Sequence, residues 1–518
     1  MKHSRLLKGL GGFGIMAIVT VSFLAMGCDS TGAGGNGDNP SPSPYTVSGT
    51  VTEDGSGDGI AGVEISFSGG FSSVTTNSTG EWTNSDLTGA VTVTPGLDGW
   101  TFVPPSCVVE GPSDSVDFTG TEAAISFAGG NGTEVDPYQV TTAAQLNEIR
   151  NHLSDHFVQT ADIDLSGYVT GEGWEPIGPV LWGSFKGAGR TISGLFIDRT
   201  GDKNGLFAQS GGDIQDVNLV GVEITADGNW VGALVGTNSG TIENCTADGT
   251  VTQTGGATVG GLVGSNSGTI TGSESNAAVS GAFTVGGLSG INYGTIENSF
   301  ATGPVAGPQT GGLGNRVGGL VGLNENGLIS ESYATGLVTI DAGGYGVGGL
   351  VGSSDGTARI ERSYATGNVV ATGEMWYIGG LVGENLSEIE DSYATGDVAG
   401  CHSVGGFVGL NESDGTISRC YSYGTVEASG SDLGGFAGQS SGTIEASYWD
   451  TEASGILVSA RGEGRTTAQM QAGTPAAYIN PDGSEDTDEG EENLMYEGWD
   501  PGVWDFGTAS DYPVLLWQ

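Results

Sequence analysis

The chain has 518 residues, 98 of them glycine, and its 14 basic and 61 acidic residues give a formal net charge of −47 at pH 7. A nucleic-acid-binding surface needs clustered Lys and Arg, so this charge argues against nucleic acid as a partner. The glycines follow no three-residue period, which excludes collagen, and a hydrophobic content of 36 % is sufficient for a packed core.

The N-terminus has the pattern of an export signal. Basic residues among the first eight precede an apolar stretch, LGGFGIMAIVTVSFLAMG, which is too short and too poorly flanked for a spanning helix. The sequence LAMGC, ending at Cys28, resembles the lipobox of bacterial lipoproteins, although Ala25 stands where leucine is commoner. The resemblance implies a signal peptide over residues 1–27 and acylation (palmitate) of Cys28, which would anchor the exported chain to the cell envelope, in the outer membrane or at the cell surface. The alternative is an ordinary cleaved signal with an incidental cysteine.

Two short segments follow the signal. Residues 28–44 are rich in Gly, Ser and Pro, which predicts a flexible tether. Residues 45–120 alternate apolar and polar residues in short runs between Gly and Asp turns, which predicts a small antiparallel β-sandwich. The order SGTVT, GIAGVEISFSG, TNSTGEWT resembles the carboxypeptidase-regulatory-like (Ig-like) modules of bacterial surface proteins, which serve as spacers or docking units.

Residues 125–157 are predicted to form an N-terminal cap with one helix. In TTAAQLNEIRNHL, Thr142 and Gln145 form a capping-box pattern, and Leu146, Ile149 and Leu153 share one helical face. An amphipathic helix of this kind can cover the open end of a stacked-repeat domain. The following HLSDH (152–156) is interpreted as a polar helix end, because the helical pattern fades before its second histidine.

One segment recurs through most of residues 158–450. Val-Gly-Gly-Leu or a close variant begins at eight positions spaced about 29 residues apart: Val231, Val259, Val285, Val317, Val347, Ile378, Val404 and Leu433. An isoleucine follows each tag, and Ser-Tyr-Ala-Thr-Gly or a near copy follows most of these isoleucines. The pattern resembles the GLUG repeat of bacterial surface proteins. Repeats stacked strand upon equivalent strand predict an all-β fold, a parallel β-helix or β-solenoid.

The repeat assigns residues to two faces, because residues two apart in a strand point to the same side. Ser or Cys, then Ala, Gly and Val, are predicted to point inward, and an aromatic column to form a ladder outside; the reverse assignment stays open. The aromatic column is Phe300, Tyr333, Tyr364, Tyr393, Tyr421 and Tyr448. Gly and Asn in NSGT, NYGT and NENG are predicted to supply positive φ at the corners.

The cysteines are predicted to form no disulfide. Cys245 and Cys420 occupy one column six repeats apart, which is much farther than the ~7 Å that a disulfide spans between Cα atoms.

Residues 451–518 are predicted to be a C-terminal cap with an acidic loop at 480–493, and whether that loop binds calcium stays open. Five aromatic residues are predicted to seal the last coil: Trp499, Trp504, Phe506, Tyr512 and Trp517.

The predicted function is that of a non-catalytic cell-surface lipoprotein without metal or cofactor, an adhesin or a scaffold that binds an extracellular glycan or protein. The aromatic column is its predicted binding face, and the membrane is a partner through the N-terminal lipid. The alternative is a β-helix polysaccharide-degrading enzyme, a glycosidase or a lyase. A glycosidase needs one defined carboxylate pair, whereas Glu243, Glu297, Glu361, Glu390 and Glu445 repeat at one position of the motif.

Overall fold

The computed structural model describes residues 43–97, 99–122, 125–308, 315–341, 343–471, 495–496, 498–508 and 510–518. The predicted signal peptide, Cys28, most of the tether and the acidic loop at 480–493 lie outside these residues. The chain divides into two compact units, residues 1–124 and 125–518. In the ranges described, no helix has the length and apolar character needed to cross a membrane.

The first unit has two four-stranded sheets around one apolar core. One sheet contains Tyr45–Glu53, Glu81–Leu87, Trp100–Val103 and Phe118–Glu122, and the other Glu64–Phe67, Val74–Thr75, Val91–Gly96 and Cys107–Val109. Neighbouring strands are antiparallel except the first and last, which pair in parallel. Alternate residues of the first strand, Val47, Gly49 and Val51, are buried, so the alternation in the sequence follows the inner face of this sheet.

The second unit is a parallel β-solenoid of about ten turns with four parallel sheets along its sides. We name each sheet after the residue that repeats in it. The Ile sheet has twelve strands: Tyr138–Val140, His156–Gln159, Ser184–Lys186, Asp213–Gln215, Thr241–Glu243, Thr269–Thr271, Thr295–Glu297, Leu328–Ser330, Arg359–Glu361, Glu388–Glu390, Thr416–Ser418 and Thr443–Glu445. The Tyr sheet has nineteen strands: Ile163–Asp164, Thr191–Ser193, Phe196–Arg199, Asn218–Ala226, Thr246–Gln253, Glu274–Ser275, Ala278–Ser280, Phe300–Ala301, Val305–Ala306, Tyr333–Ala334, Val338–Ile340, Tyr364–Ala365, Val369–Ala371, Tyr393–Ala394, Val398–Gly400, Tyr421–Ser422, Val426–Ala428, Tyr448–Asp450 and Glu463–Arg465.

Two shorter sheets run along the later coils. The Asn sheet has nine strands: Phe207–Ser210, Val235–Asn238, Val263–Asn266, Ser289–Asn292, Val321–Glu325, Val351–Asp355, Val382–Asn385, Val408–Asn411 and Ala437–Ser440. The Val sheet has seven strands: Thr258–Gly260, Thr284–Gly286, Arg316–Gly318, Gly344–Gly348, Met375–Gly379, His402–Gly405 and Leu433–Gly434. A final antiparallel pair, Trp504–Asp505 with Val514–Leu515, lies near the C-terminus.

The segment before the first coils carries the helix. It runs Ala143–Glu148 and continues as a 3-10 turn over Ile149–Asn151, shorter than the predicted 141–153. The Thr142 side chain accepts from the backbone N–H of Gln145, while the Gln145 side chain accepts from Thr141. Leu146 and Ile149 are fully buried and belong to the solenoid core.

The repeats stack in register, one coil upon the next. The eight isoleucines that follow the tags pair as neighbours from Ile242 to Ile444, and Phe185 and Ile214 continue the same column before them. In SYATGLV, Ser332, Ala334 and Val338 are buried, whereas Tyr333 is half-buried and Thr335 exposed. The fold class and the inward direction of the small residues are therefore confirmed.

The second glycine of the tag brings neighbouring coils close together. A Cβ built on any of these glycines would lie 2.0–2.3 Å from the carbonyl oxygen of the equivalent glycine in the next coil. The glycines are Gly261, Gly287, Gly319, Gly349, Gly380 and Gly406. At these six positions glycine is thus repeated because the backbones approach too closely for a side chain.

An asparagine ladder runs inside the Asn sheet, and the sequence analysis did not identify it. Asn238, Asn266, Asn292 and Asn324 are buried, and each of the first three donates from Nδ2 to the Oδ1 of the next at 2.8–2.9 Å. Asn266 also accepts from Gly268 N and donates to its carbonyl oxygen, both at 3.2 Å. Such ladders satisfy buried amides along stacked parallel strands.

Replacing Asn266 with alanine is expected to lower the free energy of unfolding by about 2 kcal/mol, because it leaves buried partners without hydrogen bonds. Ser354 naturally occupies the same column, where its hydroxyl pairs with Ser387 at 2.7 Å, so Asn266→Ser should cost less than Asn266→Ala. Urea unfolding of the two variants measures the difference. Equal stability of Asn266→Ala and the unmodified protein would contradict a stabilising ladder.

The predicted corner conformation is confirmed at Asn326 of NENG, whose φ is 61°, and is wrong for NSGT and NYGT. Gly268 of NSGT does not have positive φ; its Cβ would instead lie 2.0 Å from Gly240 O in the preceding coil. Positive φ, between 43° and 57°, occurs two residues after the isoleucine, where the Ile sheet turns into the Tyr sheet. The residues there are Asp216, Asn244, Gly272, Asn298, Glu331, Arg362, Asp391, Arg419 and Ala446. Close approach of the coils, rather than backbone conformation, therefore explains the glycine.

The cysteines correct one prediction. Cys245, Cys401 and Cys420 are free, as predicted, but Cys107 is disulfide-bonded. Cys245 and Cys420 are fully buried in the serine column, where the backbone N–H of Cys245 donates to Ser273 Oγ at 3.1 Å. Burial raises the pKa of Cys245 to about 12, and burial also raises that of Cys420.

Of these three free thiols, only Cys401 is expected to react with iodoacetamide in the folded protein. The thiolate is the nucleophile, and burial both raises the pKa and blocks access at Cys245 and Cys420. Mass spectrometry of labelled protein at pH 8 checks this, with urea-unfolded protein as the control in which all three react. Fast labelling of Cys245 without denaturant would contradict the stacked core.

Candidate binding surfaces

The predicted aromatic column lies on the outside of the Tyr sheet, and its rings from Phe300 to Tyr421 form one continuous stack. We call it the tyrosine ladder: Phe300, Tyr333, Tyr364, Tyr393, Tyr421 and Tyr448. Successive ring centroids from Phe300 to Tyr421 lie 4.7, 4.8, 5.0 and 5.0 Å apart, with planes inclined by 4–10°. Parallel in-register strands impose this spacing, because each ring stands one strand above the last.

The stacking limits what the tyrosine ladder can bind. Each inner ring has both faces covered by its neighbours, so only ring edges and hydroxyl groups point outward. A ligand that needs a free aromatic face therefore finds none on Tyr333, Tyr364 or Tyr393. The role of the ladder as a binding face stays a prediction.

The C-terminal segment covers much of the ladder. We call the described residues 495–518 the tail; its aromatic side chains and those of the last ladder positions form one core cluster in which Tyr393, Tyr421 and Tyr448 are buried. Trp504 lies 5.9 Å from Tyr421 between ring centroids, and Tyr421 donates to Pro513 O at 2.6 Å. The predicted tail residues thus pack along the side of the coils, and the prediction that they seal the last coil is wrong.

The tail reaches back over several coils. Trp517 donates to Arg362 O at 2.9 Å and lies 6.3 Å from the Tyr333 ring. Phe300, Tyr333 and Tyr364 stay half-buried. A different residue fills the core of the last coil: Trp449 occupies the column of inward alanines and its indole donates to Ile456 O at 3.0 Å.

The ladder and tail make the fold sensitive to alkali. Burial, followed by neighbouring phenols, raises the pKa of Tyr421 well above its usual value, and burial also raises that of Tyr393 and Tyr496. An unfolded tyrosine ionises near pH 10, so the neutral phenols stabilise the fold fully below that pH and progressively less above it.

We therefore expect the urea midpoint to be constant from pH 8 to 9 and to fall steeply above pH 10. Tail removal should reduce the slope, because it exposes these phenols to water. A midpoint that stays constant up to pH 11 would contradict their burial.

A cluster of arginines and carboxylates lies on the outer face of the Ile sheet. Arg359 pairs with Glu390 and, at 3.1 Å, with Glu361. Arg362 also pairs with Glu361, at 2.7 Å, and Arg419 pairs with Asp391, at 2.8 Å. The two glutamates belong to the repeated Glu column, whose members are in register. Held by arginines, they are bound as ion pairs rather than free for proton transfer.

The two histidines of HLSDH do not share a helical face. His152 follows the 3-10 turn and its Nδ1 lies 3.2 Å from Asp155, whereas His156 begins a strand and its Nδ1 lies 2.9 Å from Ser184 Oγ. Among the residues that the structure describes, no group of three or more His, Cys, Asp or Glu side chains is arranged to hold a metal ion.

These features define a β-solenoid assembled from short glycine-rich repeats. The model of the GLUG motif matches six segments, 228–252, 281–305, 314–341, 343–370, 376–399 and 400–427, all within the coils described above. The GLUG resemblance found in the sequence is therefore confirmed for these repeats.

Curated relatives match only part of the chain. A Gly-rich membrane protein of Evansella cellulosilytica is 44 % identical over 126 residues, which are 22 % of this chain and 15 % of that protein. Halomucin of Haloquadratum walsbyi is 38 % identical over 129 residues, 22 % of this chain and 1 % of that protein. The chain thus spans a small fraction of either relative.

One solved structure has a similar course. An immunoglobulin A1 protease of Bacteroides ovatus, as its description calls it, is 19 % identical and covers 76 % of this chain and 96 % of that chain, with a TM-score of 0.36. A likeness at this level carries no argument about function.

Proposed function

We propose that this chain is a non-catalytic scaffold of the cell envelope, an exported lipoprotein whose solenoid presents a surface for an extracellular glycan or protein. The observation that carries the proposal is that every repeated column takes part in contacts between coils. The glycines allow the close approach, the asparagines and serines hydrogen-bond, and the isoleucines fill the core. Variation between repeats is then left to the outer surface, as in other solenoids that bind partners.

The names of the relatives support the location. One is named as a Gly-rich membrane protein and the other as a halomucin. A net charge of −47 also keeps such a surface soluble and repels anionic polymers.

The lipid anchor is tested by expressing the full chain with Cys28→Ala. The expected result is that the unmodified protein enters the detergent phase of Triton X-114, whereas the variant stays in the aqueous phase. Cys401→Ser is the matched control and should partition like the unmodified protein. A variant at Cys28 that still enters the detergent phase would contradict acylation, and so would a disulfide between Cys28 and the bonded Cys107, because a sulfur that carries a thioether lipid cannot form a disulfide.

The binding role is tested with purified full-length protein on a glycan array, run beside a polysaccharide hydrolysis screen. A scaffold should bind one glycan class or protein and release no reducing ends. Release of reducing ends would favour the β-helix enzyme instead. In that case, Glu390→Gln should leave the activity unchanged if the arginine-paired carboxylates take no part in it.

A further inference from the structure

A second aromatic group lies on the outside of the Val sheet and is not part of the repeat. Tyr345, Trp376 and His402 are register partners on three neighbouring coils, and Tyr377 follows Trp376 with a φ of 63°. We call these four residues the aromatic corner. Tyr345 and Trp376 are 38 % and 37 % exposed, which is unusual for side chains of this size in a packed sheet.

The rings of the aromatic corner are arranged differently from those of the tyrosine ladder. Tyr377 lies 5.6 Å from Tyr345 and 6.4 Å from Trp376 between centroids, with planes inclined at 35° and 68°. His402 stacks on Trp376 at 4.6 Å and 22°. The Tyr345 and Trp376 rings are tilted against Tyr377 rather than stacked on it, so they can present an aromatic face to a ligand. The inner rings of the tyrosine ladder cannot, because both of their faces are covered.

Two carboxylates lie near Tyr377, at one side of this corner. Glu384 and Glu412 lie close enough to act on Tyr377, whose pKa is raised first by burial and then by these two charges. Glu384 is held by Ser353 at 3.1 Å, and burial raises its pKa despite the nearby charge of Arg316. Three carboxylates thus face one arginine here, since Asp355 also acts on Glu384.

We propose that the aromatic corner binds a glycan that carries protonated amino groups. The proposal rests on the binding function proposed above and names its site and ligand. Aromatic faces attract ammonium groups and also pack against the apolar C–H face of a pyranose ring. The nearby carboxylates and the net charge of −47 favour a cationic sugar and disfavour sialylated or uronic-acid glycans.

The strand spacing fits an extended chain of sugars. Tyr345, Trp376 and His402 lie on successive coils ~4.8 Å apart, which is close to the rise of one pyranose in an extended oligosaccharide. A chain running along the coils would place successive sugars beside successive aromatic side chains.

The experiment compares two tetrasaccharides of equal length, chitosan tetramer with free amines and its fully N-acetylated form, by titration calorimetry on the full-length protein. The amine form should bind at least tenfold more tightly, and its affinity should fall as salt is added. Trp376→Ala and Tyr345→Ala should each weaken binding at least tenfold, whereas Phe283→Ala, at an exposed aromatic (41 % exposed) directly before the strand Thr284–Gly286 of the same sheet, should not.

Glu384→Gln separates charge from stacking. It should weaken binding of the amine form and leave the weaker binding of the N-acetylated form unchanged. Circular dichroism and the thermal midpoint confirm that each variant is folded.

Several results would overturn the proposal. Equal affinity for the two tetramers would show that charge does not select the ligand, and equal losses in Trp376→Ala and Phe283→Ala would place the site elsewhere. Binding of polylysine without binding of either tetramer would assign the corner to a protein partner. Binding to other glycans on the array, unchanged by Trp376→Ala, would retain the scaffold function and reject this site; failure to bind any glycan or protein would reject both.

Discussion

Replacing Gly319 with alanine is expected to lower the free energy of unfolding by about 3 kcal/mol or more. A Cβ at this position would lie 2.0 Å from Gly349 O and 2.9 Å from the Cβ of Ala334. Neither atom can move away independently, because the first is backbone of the next coil and the second is a buried residue of the core. Overpacking of a filled core costs about 1–3 kcal/mol, and contact with backbone lies at the upper end or beyond.

The first repeat shows how an extra methyl group is accommodated. Ala233 occupies the equivalent position, and its N–H donates to Gly261 O, whereas Gly319 donates to the first glycine of the next tag, Gly348. Where alanine is present, its N–H therefore donates to the second glycine of the next tag instead of the first. This change of hydrogen-bond partner occurs in the first tag and would be harder to accommodate in a tag that lies among the other seven.

Gly167→Ala is the matched control. Gly167 lies in the same unit, has no positive φ, and an added Cβ would meet no atom within 4 Å. This variant should match the unmodified protein or be slightly more stable, because alanine restricts the unfolded chain. Similar urea midpoints for Gly319→Ala and Gly167→Ala would contradict the close approach of the coils.

Replacing Trp504 with alanine is expected to cost about 3–5 kcal/mol, the usual range for a buried tryptophan. Its side chain is 1 % exposed, its ring lies 4.6 Å from Trp499, and its Nε1 donates to Asp391 Oδ1 at 3.0 Å. Because Trp504 is the tail residue that packs against both Tyr393 and Tyr421, the variant should expose these two rings to water.

Hydrogen exchange over the tail and the tyrosine ladder measures this effect directly. Amides of residues 498–518 should lose protection in Trp504→Ala, while those of the Asn sheet keep theirs. Trp504→Phe retains most of the buried area and should lose only the contribution of the hydrogen bond to Asp391, about 1–3 kcal/mol. Unchanged protection in Trp504→Ala would contradict the expected contribution of Trp504 to holding the tail on the coils.

The sequence determined the stacking because the same residues return at the same positions. A column of small residues followed by Val, with Tyr between Ser and Ala, favours the inward face that the structure shows for SYATG but left the reverse assignment open, because aromatic stacks can also fill cores. Repetition also singled out the tag glycines. Why they must be glycine is visible only in three dimensions, because an added Cβ would lie about 2 Å from the backbone of the next coil.

Other features depend on contacts between segments far apart in sequence. The asparagine that recurs after each tag was a visible signal, but its interpretation as a corner residue missed the ladder, since both uses favour Asn. The covering of Tyr421 by the tail joins residues 92 apart at Pro513, and no local pattern specifies that pairing. The aromatic corner lacks repetition altogether, so only the register of Tyr345, Trp376 and His402 brings it together.

The most direct test of the account measures distances between coils in solution. Asp213, Glu388 and Thr443 are exposed and occupy one column of the Ile sheet, six coils apart for the first two and eight for the first and last. Spin labels on cysteines at these sites, in a Cys401→Ser background, should give electron–electron distances near ~29 Å for 213–388 and ~38 Å for 213–443 at a strand spacing of ~4.8 Å. Distances that do not increase with coil number, as separate blades or antiparallel hairpins would give, would contradict the solenoid.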